Sequence, residues 1–342
     1  MMSMAEGLQP AEFAATATRA VIACAGLDVR EQARNLAGDG LLGVIADEEV
    51  GGLALPLGFA VPVIAAAHSG LLGFPLLETI LVSRLLQSSL TRLAGAIVSG
   101  EKLATIAWQG EAIADREDGL LMLSGTLARA PCAASVDHIL VRMSGGAAAL
   151  IPANAKGVLV EDAAGLDLTV PEHVVRLEKV EVPIGSVLPA GTWNGLNSDA
   201  NVLRAAAILG SAEACLALAQ EHASTRRQFG HALSYNQAIR HALARQKLGL
   251  ESIRHAITRG LSEGGGPVQR DAAFLAAATY GSSISEGALQ MHGGMGFTWD
   301  VPVHRHLRRI RTLQAQGDAS GLISAFGRRY VSEIAPFAET GA

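Results

Sequence analysis

A block of short β-type segments between two helical regions is the feature that most constrains the fold of this chain. Between about residues 103 and 192, runs such as TIAWQ, LLMLSGTLA, DHILVRM and HVVRLEKVEVP are rich in β-branched or apolar residues. Gly, Asp, Asn and Pro separate these runs, which is typical of strands joined by turns. Few folds enclose a small β domain between two helical ones, so this order narrows the choice of architecture.

The residues on both sides of this block have a helical pattern. Residues 1 to about 100 alternate Ala/Leu-rich segments with glycines, as in RNLAGDGLLGVIADEEVGG. Apolar residues make up 49% of the 342 residues and aromatic residues only 4%, so Ala, Leu, Val and Ile must form the interior, which suits closely packed helices. We predict an N-terminal helical domain (1–102), a β domain (103–192) and a C-terminal helical bundle (193–342).

Three long helices are predicted after the β block. The Ala- and Leu-rich residues from Asn201 to Arg227 predict the first, with cations in its last turn. Ser234 and Gln237 have the S-x-x-Q spacing of a capping box and predict the start of the second. The GGGP segment ends that helix, and the third runs to about His292.

Charge and cysteine content exclude several classes of protein. The net charge of -5 and the dispersed Lys and Arg residues argue against nucleic acid as the main partner. Cys24, Cys132 and Cys215 lie far apart, as expected of buried thiols in a reducing cytoplasm. The most apolar segment, residues 53–68, contains two prolines and is too short to span a bilayer, and no signal or transit peptide is evident. We expect a cytoplasmic protein without membrane insertion.

Two motifs at helix ends are candidates for binding a pyrophosphate. RRQFG, from Arg226 to Gly230, places cations and a glycine at one helix end, and HGGMGF, from His292 to Phe297, places three glycines at another. Each motif alone is explained as well by an ordinary helix end. Together they could bind a pyrophosphate, because arginine supplies charge-assisted hydrogen bonds and the peptide groups of glycine allow close approach.

These motifs resemble those of the acyl-CoA dehydrogenase family. RRQFGHALSYNQAIRHALA and ALQMHGGMGFTWDVPVHRHLRR are similar to its C-terminal helical domain, LAGDGLLGVIADEEVGG to its N-terminal helical domain, and LEKVEVPIGSVL to the last strand of its central β domain. The resemblance implies an α+β, mainly α fold. Its parts are an N-terminal helical domain, a small central β-barrel domain and a C-terminal four-helix bundle.

The flavin FAD lies across a subunit interface in this family. The resemblance therefore implies that residues of both motifs reach the pyrophosphate and adenine of a flavin held mainly by the neighbouring subunit. By position these residues are Arg226, Phe229, Gln237, Gln290, Gly293 and Gly294.

The features that would hold the chain's own flavin ring are missing. The family's middle domain carries a Thr-Glu-Pro-x-x-Gly-Ser-Asp-like loop and a later Trp-x-Thr strand. Here the segment TIAWQGEAIADREDG does not contain this loop, and the later segment, SGTLARAPCAAS, does not contain the Trp-x-Thr pattern. We therefore expect this chain to lack the ring contacts of the family.

The family's catalytic base is also missing from its usual place. These enzymes remove an α-proton from an acyl thioester with a carboxylate of raised pKa, while the β-hydride goes to the flavin. Gln316 or Gly317 stands where the Glu is expected, and Leu203 stands at the alternative position on the first C-terminal helix. Asp318 is the candidate base that remains, although a solvated residue in a Gly-Asp turn is the simpler interpretation.

Three histidines raise the question of a metal site. His292, His304 and His306 lie in or near an Arg-rich segment, where their spacing suits a charged surface or a subunit contact better than metal ligation. We predict no metal.

Four hypotheses about function follow from these patterns. In the first, the chain is the short subunit of a heteromeric acyl-CoA dehydrogenase, a group that includes enzymes acting on CoA-linked steroid side chains, and it completes a partner's FAD site. The expected partners are an acyl-CoA substrate, further subunits in a tetramer and an electron-transfer flavoprotein. The alternatives are a homotetrameric dehydrogenase with Asp318 as base, a flavin-dependent monooxygenase component, and a structural subunit without flavin contact.

Overall fold

The computed structural model describes residues 8–117 and 120–334. Its N-terminal part consists of helices joined by loops and short 3-10 turns, which confirms the predicted helical region. The helices are α1 (Pro10–Ala23), α2 (Val29–Gly38), α3 (Ala60–Ser69), α4 (Leu76–Leu86) and α5 (Thr91–Val98). α2 begins at a capping box, in which the Asp28 side chain accepts a hydrogen bond from the Glu31 N–H at 2.8 Å.

A seven-stranded sheet follows these helices. Its strands are β1 (Ala104–Glu117), β2 (Leu120–Pro131), β3 (His138–Met143), β4 (Ala148–Pro152), β5 (Val158–Asp162), β6 (Glu172–Val182) and β7 (Val187–Leu188). The order is β5-β6-β2-β1-β3-β4-β7, and β1 runs parallel to β3. We expected a small barrel made of hairpins. The sheet does contain hairpin pairs such as β1 and β2, but β2 also pairs with β6, which is distant in the sequence.

Helices return after the sheet and form the C-terminal bundle. They are α6 (Thr192–Thr225), α7 (Gln237–Leu261), α8 (Pro267–His292), α9 (Val303–Gln316) and α10 (Ala319–Ile334). A short hairpin of β8 (Arg227–Gln228) and β9 (His231–Ala232) joins α6 to α7. The predicted order of helices, β domain and helices is confirmed. The domain limits at 102 and 192 stay a prediction, which the starts of β1 and α6 support.

The predicted limits of α6 are wrong. The helix begins at Thr192 rather than near Asn201, and it ends at Thr225 rather than at Arg227. At its end the Thr225 hydroxyl donates a hydrogen bond to the Glu221 carbonyl at 2.9 Å. Arg226 then leaves the helical conformation, with φ -68° and ψ 124°.

The predicted capping box of Ser234 and Gln237 is not formed. Gln237 is the first residue of α7, and Asn236 precedes it as an N-cap without a side-chain hydrogen bond. The Ser234 carbonyl instead accepts a hydrogen bond from Arg240 Nε at 2.6 Å. A 3-10 turn at Leu233–Tyr235 takes the place of the first helical turn that the pattern predicted.

α6 is the central helix of the structure. By length and apolar composition it could cross a membrane, but 78% of its most apolar 18 residues are buried inside the protein. Gly210 allows this burial, because a Cβ there would lie 1.9 Å from the Ala65 carbonyl oxygen of α3. The backbones of α3 and α6 therefore touch, which holds the N-terminal helices against the bundle. The free thiols of Cys24, Cys132 and Cys215 are buried, as predicted.

Arg309 of α9 joins all three parts of the chain. Its Nε donates a hydrogen bond to Asp167 Oδ2 at 2.6 Å in the loop before β6, and its Nη2 donates to the Leu72 carbonyl at 2.9 Å between α3 and α4. Nη2 also contacts the Thr169 hydroxyl. The side chains of Arg309 and Asp167 are only 2% and 5% exposed. Water therefore cannot replace either partner of this ion pair.

The substitution Asp167→Asn tests this contact. Burial alone would raise the pKa of the Asp167 carboxyl, but Arg309 and Thr169 outweigh burial and hold the pKa below its ordinary value of 3.8. A lowered pKa stabilises the fold above the ordinary pKa, and this effect is lost as pH falls through the folded-state pKa. We expect the variant to be less stable than wild type by about 3 kcal/mol at neutral pH, and by less as the pH falls below about 4.

Urea unfolding at several pH values measures this difference. Asp115→Asn, which changes an exposed carboxyl on β1, is the matched control and should alter stability little. An equal loss in the two variants, or a difference between wild type and Asp167→Asn that persists in acid, contradicts the role assigned to the pair.

Candidate functional site

The hairpin after α6 presents two of the predicted cofactor residues to the outside. The Arg226 N–H donates a hydrogen bond to the His222 carbonyl at 2.9 Å, which fixes Arg226 at the helix end. The chain then turns at Phe229 and Gly230, whose φ values are 51° and 85°. A left-handed φ is unfavourable for a bulky residue, yet Phe229 is 94% exposed. Nothing in the described part of the chain explains this strained, exposed ring, so the ring is available to another molecule.

Gln237 follows this hairpin closely. The Leu233 N–H donates a hydrogen bond to the Arg226 carbonyl at 2.9 Å, which ties the turn before α7 back to the end of α6. Gln237 then opens α7 with an exposed side chain. Arg226, Phe229 and Gln237 therefore belong to one short segment that is fixed by backbone hydrogen bonds.

A glycine-rich turn at the end of α8 supplies the other predicted residues. Gly293 has φ 60° and ψ -137°, a conformation that suits glycine. Gly296 is required by packing, since a Cβ there would lie 3.0 Å from the Leu289 carbonyl oxygen. Neither conformation nor packing requires a glycine at position 294. The φ of Gly294 is not left-handed, and a Cβ there would meet no atom of the described chain within 4 Å. Its peptide group and the Gln290 side chain are exposed.

A pair of stacked histidines brings the two segments together. His222 in the last turn of α6 and His292 at the end of α8 have ring centroids 4.5 Å apart and ring planes inclined by 28°. Arg226 follows the first ring by one turn, and Gly293 follows the second directly. The two motifs thus meet at one corner of the bundle. We call the predicted cofactor residues at this corner the cradle: Arg226, Phe229, Gln237, Gln290, Gly293 and Gly294.

Comparisons with known proteins agree with this architecture. Residues 198–318 match the family described as acyl-CoA dehydrogenase, C-terminal domain. Acyl-CoA dehydrogenase IpdE2 of Mycobacterium tuberculosis is 28% identical over 277 residues, which cover 79% of this chain and 76% of the relative. The structure of the ChsE4–ChsE5 complex from Mycobacterium tuberculosis has a TM-score of 0.85 and 25% identity, over 98% of this chain and 99% of the other. A structure of the Tcur3481–Tcur3483 steroid ACAD has a TM-score of 0.86 and 23% identity, over 95% of this chain and 98% of the other.

The chain belongs to the acyl-CoA dehydrogenase family. Its membership confirms the predicted fold class and places the chain among enzymes whose cofactor is FAD. The chemistry of the cradle fits the diphosphate of FAD, since it combines a guanidinium group, side-chain amides and bare peptide groups.

The segments that hold the flavin ring in this family make other contacts here. β1 is a continuous strand from Ala104 to Glu117, without the family's loop. Gln109 Nε2 on this strand donates a hydrogen bond to the Ala315 carbonyl of α9 at 2.6 Å. Arg129 on β2 donates to Glu172 Oε2 at 2.6 Å. Both strands on which we expected the family's ring contacts are therefore bonded to their own chain.

The positions at which the sequence predicts the family's base are also occupied by internal contacts. Gln316 is 7% exposed, and its Nε2 donates a hydrogen bond to Glu172 Oε1 at 3.0 Å. Gly317 leaves no space for a side chain, because a Cβ there would lie 2.5 Å from a ring carbon of Phe274. Leu203, at the alternative position, is fully buried in the core. An amide, a hydrogen and an alkyl group cannot accept the α-proton.

Three buried side chains fill the space between the N-terminal helices, the sheet and the bundle, and we call Glu78, Trp108 and Arg204 the plug. Trp108 Nε1 donates a hydrogen bond to Glu78 Oε1 at 2.8 Å, and the Arg204 guanidinium lies 4.0 Å from the centroid of the Trp108 ring. Burial raises the pKa of Glu78 and lowers the pKa of Arg204 to about 10. A carboxyl group and a guanidinium group are thus held in a dry interior around an indole ring.

Little space remains beside the plug. The cavity between the three parts has a volume of about 30 Å³, and Glu78, Arg309 and Gln316 are among its lining residues. Pockets that hold small-molecule ligands typically measure about 300–1,000 Å³. This interior therefore fits neither a flavin ring nor an acyl group, and Glu78 has no access to a substrate despite its raised pKa.

Asp318, the predicted candidate base, is exposed beyond this interior. Its Oδ1 accepts a hydrogen bond from the Gly321 N–H at 3.1 Å and thus caps α10. It lines an open pocket of about 570 Å³ with Gln109 and Ala278. From Ala278 to His292, α8 extends for roughly 20 Å, which separates Asp318 from the cradle. These contacts favour the simpler interpretation of Asp318 as a turn residue.

No metal site is evident among the residues that the structure describes. They contain no group of three or more His, Cys, Asp and Glu side chains that could hold a metal ion. The His304 ring contacts Trp299 edge-on, with centroids 4.9 Å apart. Burial lowers the pKa of His306 to about 3. Both histidines therefore take part in packing.

The sequence patterns did not reveal the plug. Glu78 is the acidic residue within the apolar run LLETILV, and such a position is a usable signal for a buried carboxylate. Trp108 and Arg204 lie in other segments, and no spacing rule connects them to Glu78. Their contact follows only from the way in which α4, β1 and α6 meet.

Gln316→Glu would restore the family's acidic residue in a place where it cannot act. The new carboxylate would lie about 3 Å from Glu172, so the buried pair would share a proton and have a pKa above that of the unfolded chain. Stability of the variant should therefore approach that of wild type in acid. It should fall by about 2–4 kcal/mol as the pH rises above about 4 and the pair loses its shared proton.

Urea unfolding between acid and neutral pH measures this loss. Gln316→Met removes the hydrogen bond to Glu172 without adding a charge, and its loss of stability should not depend on pH in this way. A parallel pH profile for the two variants, or acyl-CoA turnover by the isolated Gln316→Glu chain, contradicts a closed base position.

Proposed function

We propose that this chain is one subunit of a heteromeric acyl-CoA dehydrogenase and completes the FAD site of an unlike partner subunit. One observation carries the proposal. The cradle is exposed and is not explained by the packing of its own chain, whereas the interior is filled by the plug. A subunit with its own active site needs open space in that interior for the flavin ring and the substrate. A subunit that only contacts the FAD of its neighbour needs the cradle alone.

The exposed groups of the cradle support contact with a cofactor held elsewhere. Arg226 offers a cation at a helix end, and Gly294 offers a peptide group that no side chain covers. Phe229 offers an aromatic face that is held outward by a left-handed backbone. The positive charge and the bare peptide group match the diphosphate of FAD. The aromatic ring matches its adenine.

The filled interior supports an unlike partner rather than a second copy. In a homo-oligomer, each cradle would face an identical chain, in which the cavity beside Gln316 measures about 30 Å³ and the larger pocket beside Gln109 is open to the outside. In such an assembly the cradle could contact the FAD diphosphate, but no subunit would bind the flavin ring. A partner with an open interior resolves this, because it supplies the flavin ring site and the carboxylate base.

Similar proteins support a steroid-linked acyl group as the substrate class. The ChsE4–ChsE5 complex is an assembly of two different chains, and Tcur3481–Tcur3483 is described as a steroid ACAD. We propose α,β-desaturation of an acyl-CoA whose acyl group is a steroid side chain. Bound FAD would supply the hydride acceptor, and this chain would hold the adenine side of that cofactor. An electron-transfer flavoprotein is the proposed acceptor of the electrons.

A homotetramer with Asp318 as base receives less support. The Asp318 carboxyl is engaged as the N-cap of α10, and the interior beside Gln316 has no room for an acyl group. The monooxygenase and purely structural hypotheses have no specific observation in their favour. Oxygen consumption and FAD affinity distinguish these two hypotheses from the dehydrogenase.

Co-expression with the product of a neighbouring dehydrogenase gene tests the proposal. We expect the isolated chain to show almost no flavin absorption, and the complex to contain flavin and to oxidise an acyl-CoA. In the complex, Arg226→Ala should weaken FAD binding by about 10- to 100-fold, the range expected for loss of a charge-assisted hydrogen bond to phosphate. Absorption spectra and FAD titration of the apo-complex measure both effects.

Arg92→Ala, an exposed arginine on α5, is the control and should leave the affinity for FAD unchanged. Flavin and turnover in the isolated chain would support the homotetramer instead. If the complex with Arg226→Ala binds FAD with unaltered affinity, this chain would be a structural subunit without flavin contact. Oxygen consumption with a phenolic substrate would favour the monooxygenase hypothesis.

A further inference from the structure

The stacked rings of His222 and His292 connect the two halves of the cradle. Arg226, Phe229 and Gln237 lie on the segment after α6, and the glycine turn lies after α8. The ring centroids are 4.5 Å apart and the ring planes are nearly parallel at 28°, which is a favourable geometry for stacked rings. The stack is therefore a direct contact between the last turns of α6 and α8.

Each of the two histidines lies next to one part of the cradle along its own chain segment. The carbonyl of His222 accepts the hydrogen bond from the Arg226 N–H at 2.9 Å. His292 Nδ1 lies 2.8 Å from the Ala288 carbonyl, and because a carbonyl only accepts, the ring proton is on Nδ1. This bond orients the His292 ring, which is 8% exposed and immediately precedes Gly293. A shift between the rings would thus shift Arg226 against the glycine turn.

The bundle does not need this stack to hold its helices together. α6 and α8 approach closely in their middle parts, where a Cβ at Gly281 would lie 2.2 Å from Ile208 Cγ2. Ile208 is roughly 20 Å from His222 along α6. The stack therefore acts on the helix ends, where the cradle lies, rather than on the core of the bundle.

The charge around the rings is compatible with stacking. The pKa of His222 is below its ordinary value because of partial burial, and the neighbouring His292 and Arg226 lower it further. A lowered pKa favours the uncharged form of the His222 ring, which does not repel the nearby guanidinium of Arg226.

We propose that His222 and His292 are positioning residues for the FAD diphosphate. Their stack holds Arg226 and the peptide group of Gly294 at a set separation before the cofactor arrives. A preorganised site loses less conformational freedom on binding and therefore binds more tightly. This inference rests on the proposed function, in which the cradle serves the FAD of a partner subunit.

The substitutions His222→Ala and His222→Phe test the inference in the complex with the partner subunit. Loss of the ring in His222→Ala should weaken FAD binding roughly 3- to 10-fold, the range expected for loss of one ring stack. His222→Phe keeps a flat ring and should restore most of the affinity. The kcat at saturating FAD should stay unchanged in both variants, because neither ring contacts the acyl group.

His255→Ala is the matched control. His255 also lies on a helix and has Nδ1 2.8 Å from the carbonyl four residues earlier, but it is exposed on α7. Circular dichroism and gel filtration of each complex check that the fold and assembly are kept. If His222→Ala fails to assemble, the titration with His222→Phe, which retains both rings of the stack, decides: near wild-type affinity supports the inference, and a loss of 10-fold or more contradicts it.

Arg226→Ala separates failure of this inference from failure of the proposed function. If Arg226→Ala weakens FAD binding and His222→Ala does not, the positioning role is wrong while the proposed function stands. If neither variant changes the affinity, or no flavin-containing complex forms, both are wrong. Equal losses in His222→Ala and His222→Phe also overturn the inference, since a planar ring would then not be what matters.

Discussion

The buried guanidinium of Arg309 is the contact on which the arrangement of the three parts depends. It bonds at once to Asp167 before β6, to Thr169 and to the carbonyl of Leu72 between α3 and α4. A charge in such a dry place is stable only while its partners stay in position. Arg309 therefore holds the N-terminal helices, the sheet and α9 in one relative position, and it lines the small cavity that remains between them.

That arrangement explains why the interior around the plug is closed while the cradle is open. The plug of Glu78, Trp108 and Arg204 lies where the three parts meet, and it leaves no room for a ring or an acyl group. The cradle lies at the far end of the bundle, where helices end and backbone is exposed. A protein of this family that lost its own chemistry could keep the second site intact, because the two sites share no residues.

Much of the fold could be predicted from local pattern. The β block, the helices around it and the glycine stop at Gly293 follow from residue periodicity and backbone preference, and the family motifs selected the residues of the cradle. The end of α6 could not be predicted, because Arg226 and Arg227 would suit a last helical turn equally well, yet Arg226 has an extended backbone and Arg227 lies in β8. The same holds for the plug and for Arg309, whose partners lie in distant segments, so that only the packed fold brings them into contact.

The central claim is that one flavin site is shared by this chain and an unlike partner. Native mass spectrometry of the intact co-purified complex, with and without bound flavin, tests it most directly by counting FAD molecules against chains. The account predicts one FAD for each pair formed by one copy of this chain and one copy of the partner. One FAD for every chain, or FAD retained by an oligomer of this chain alone, would contradict it.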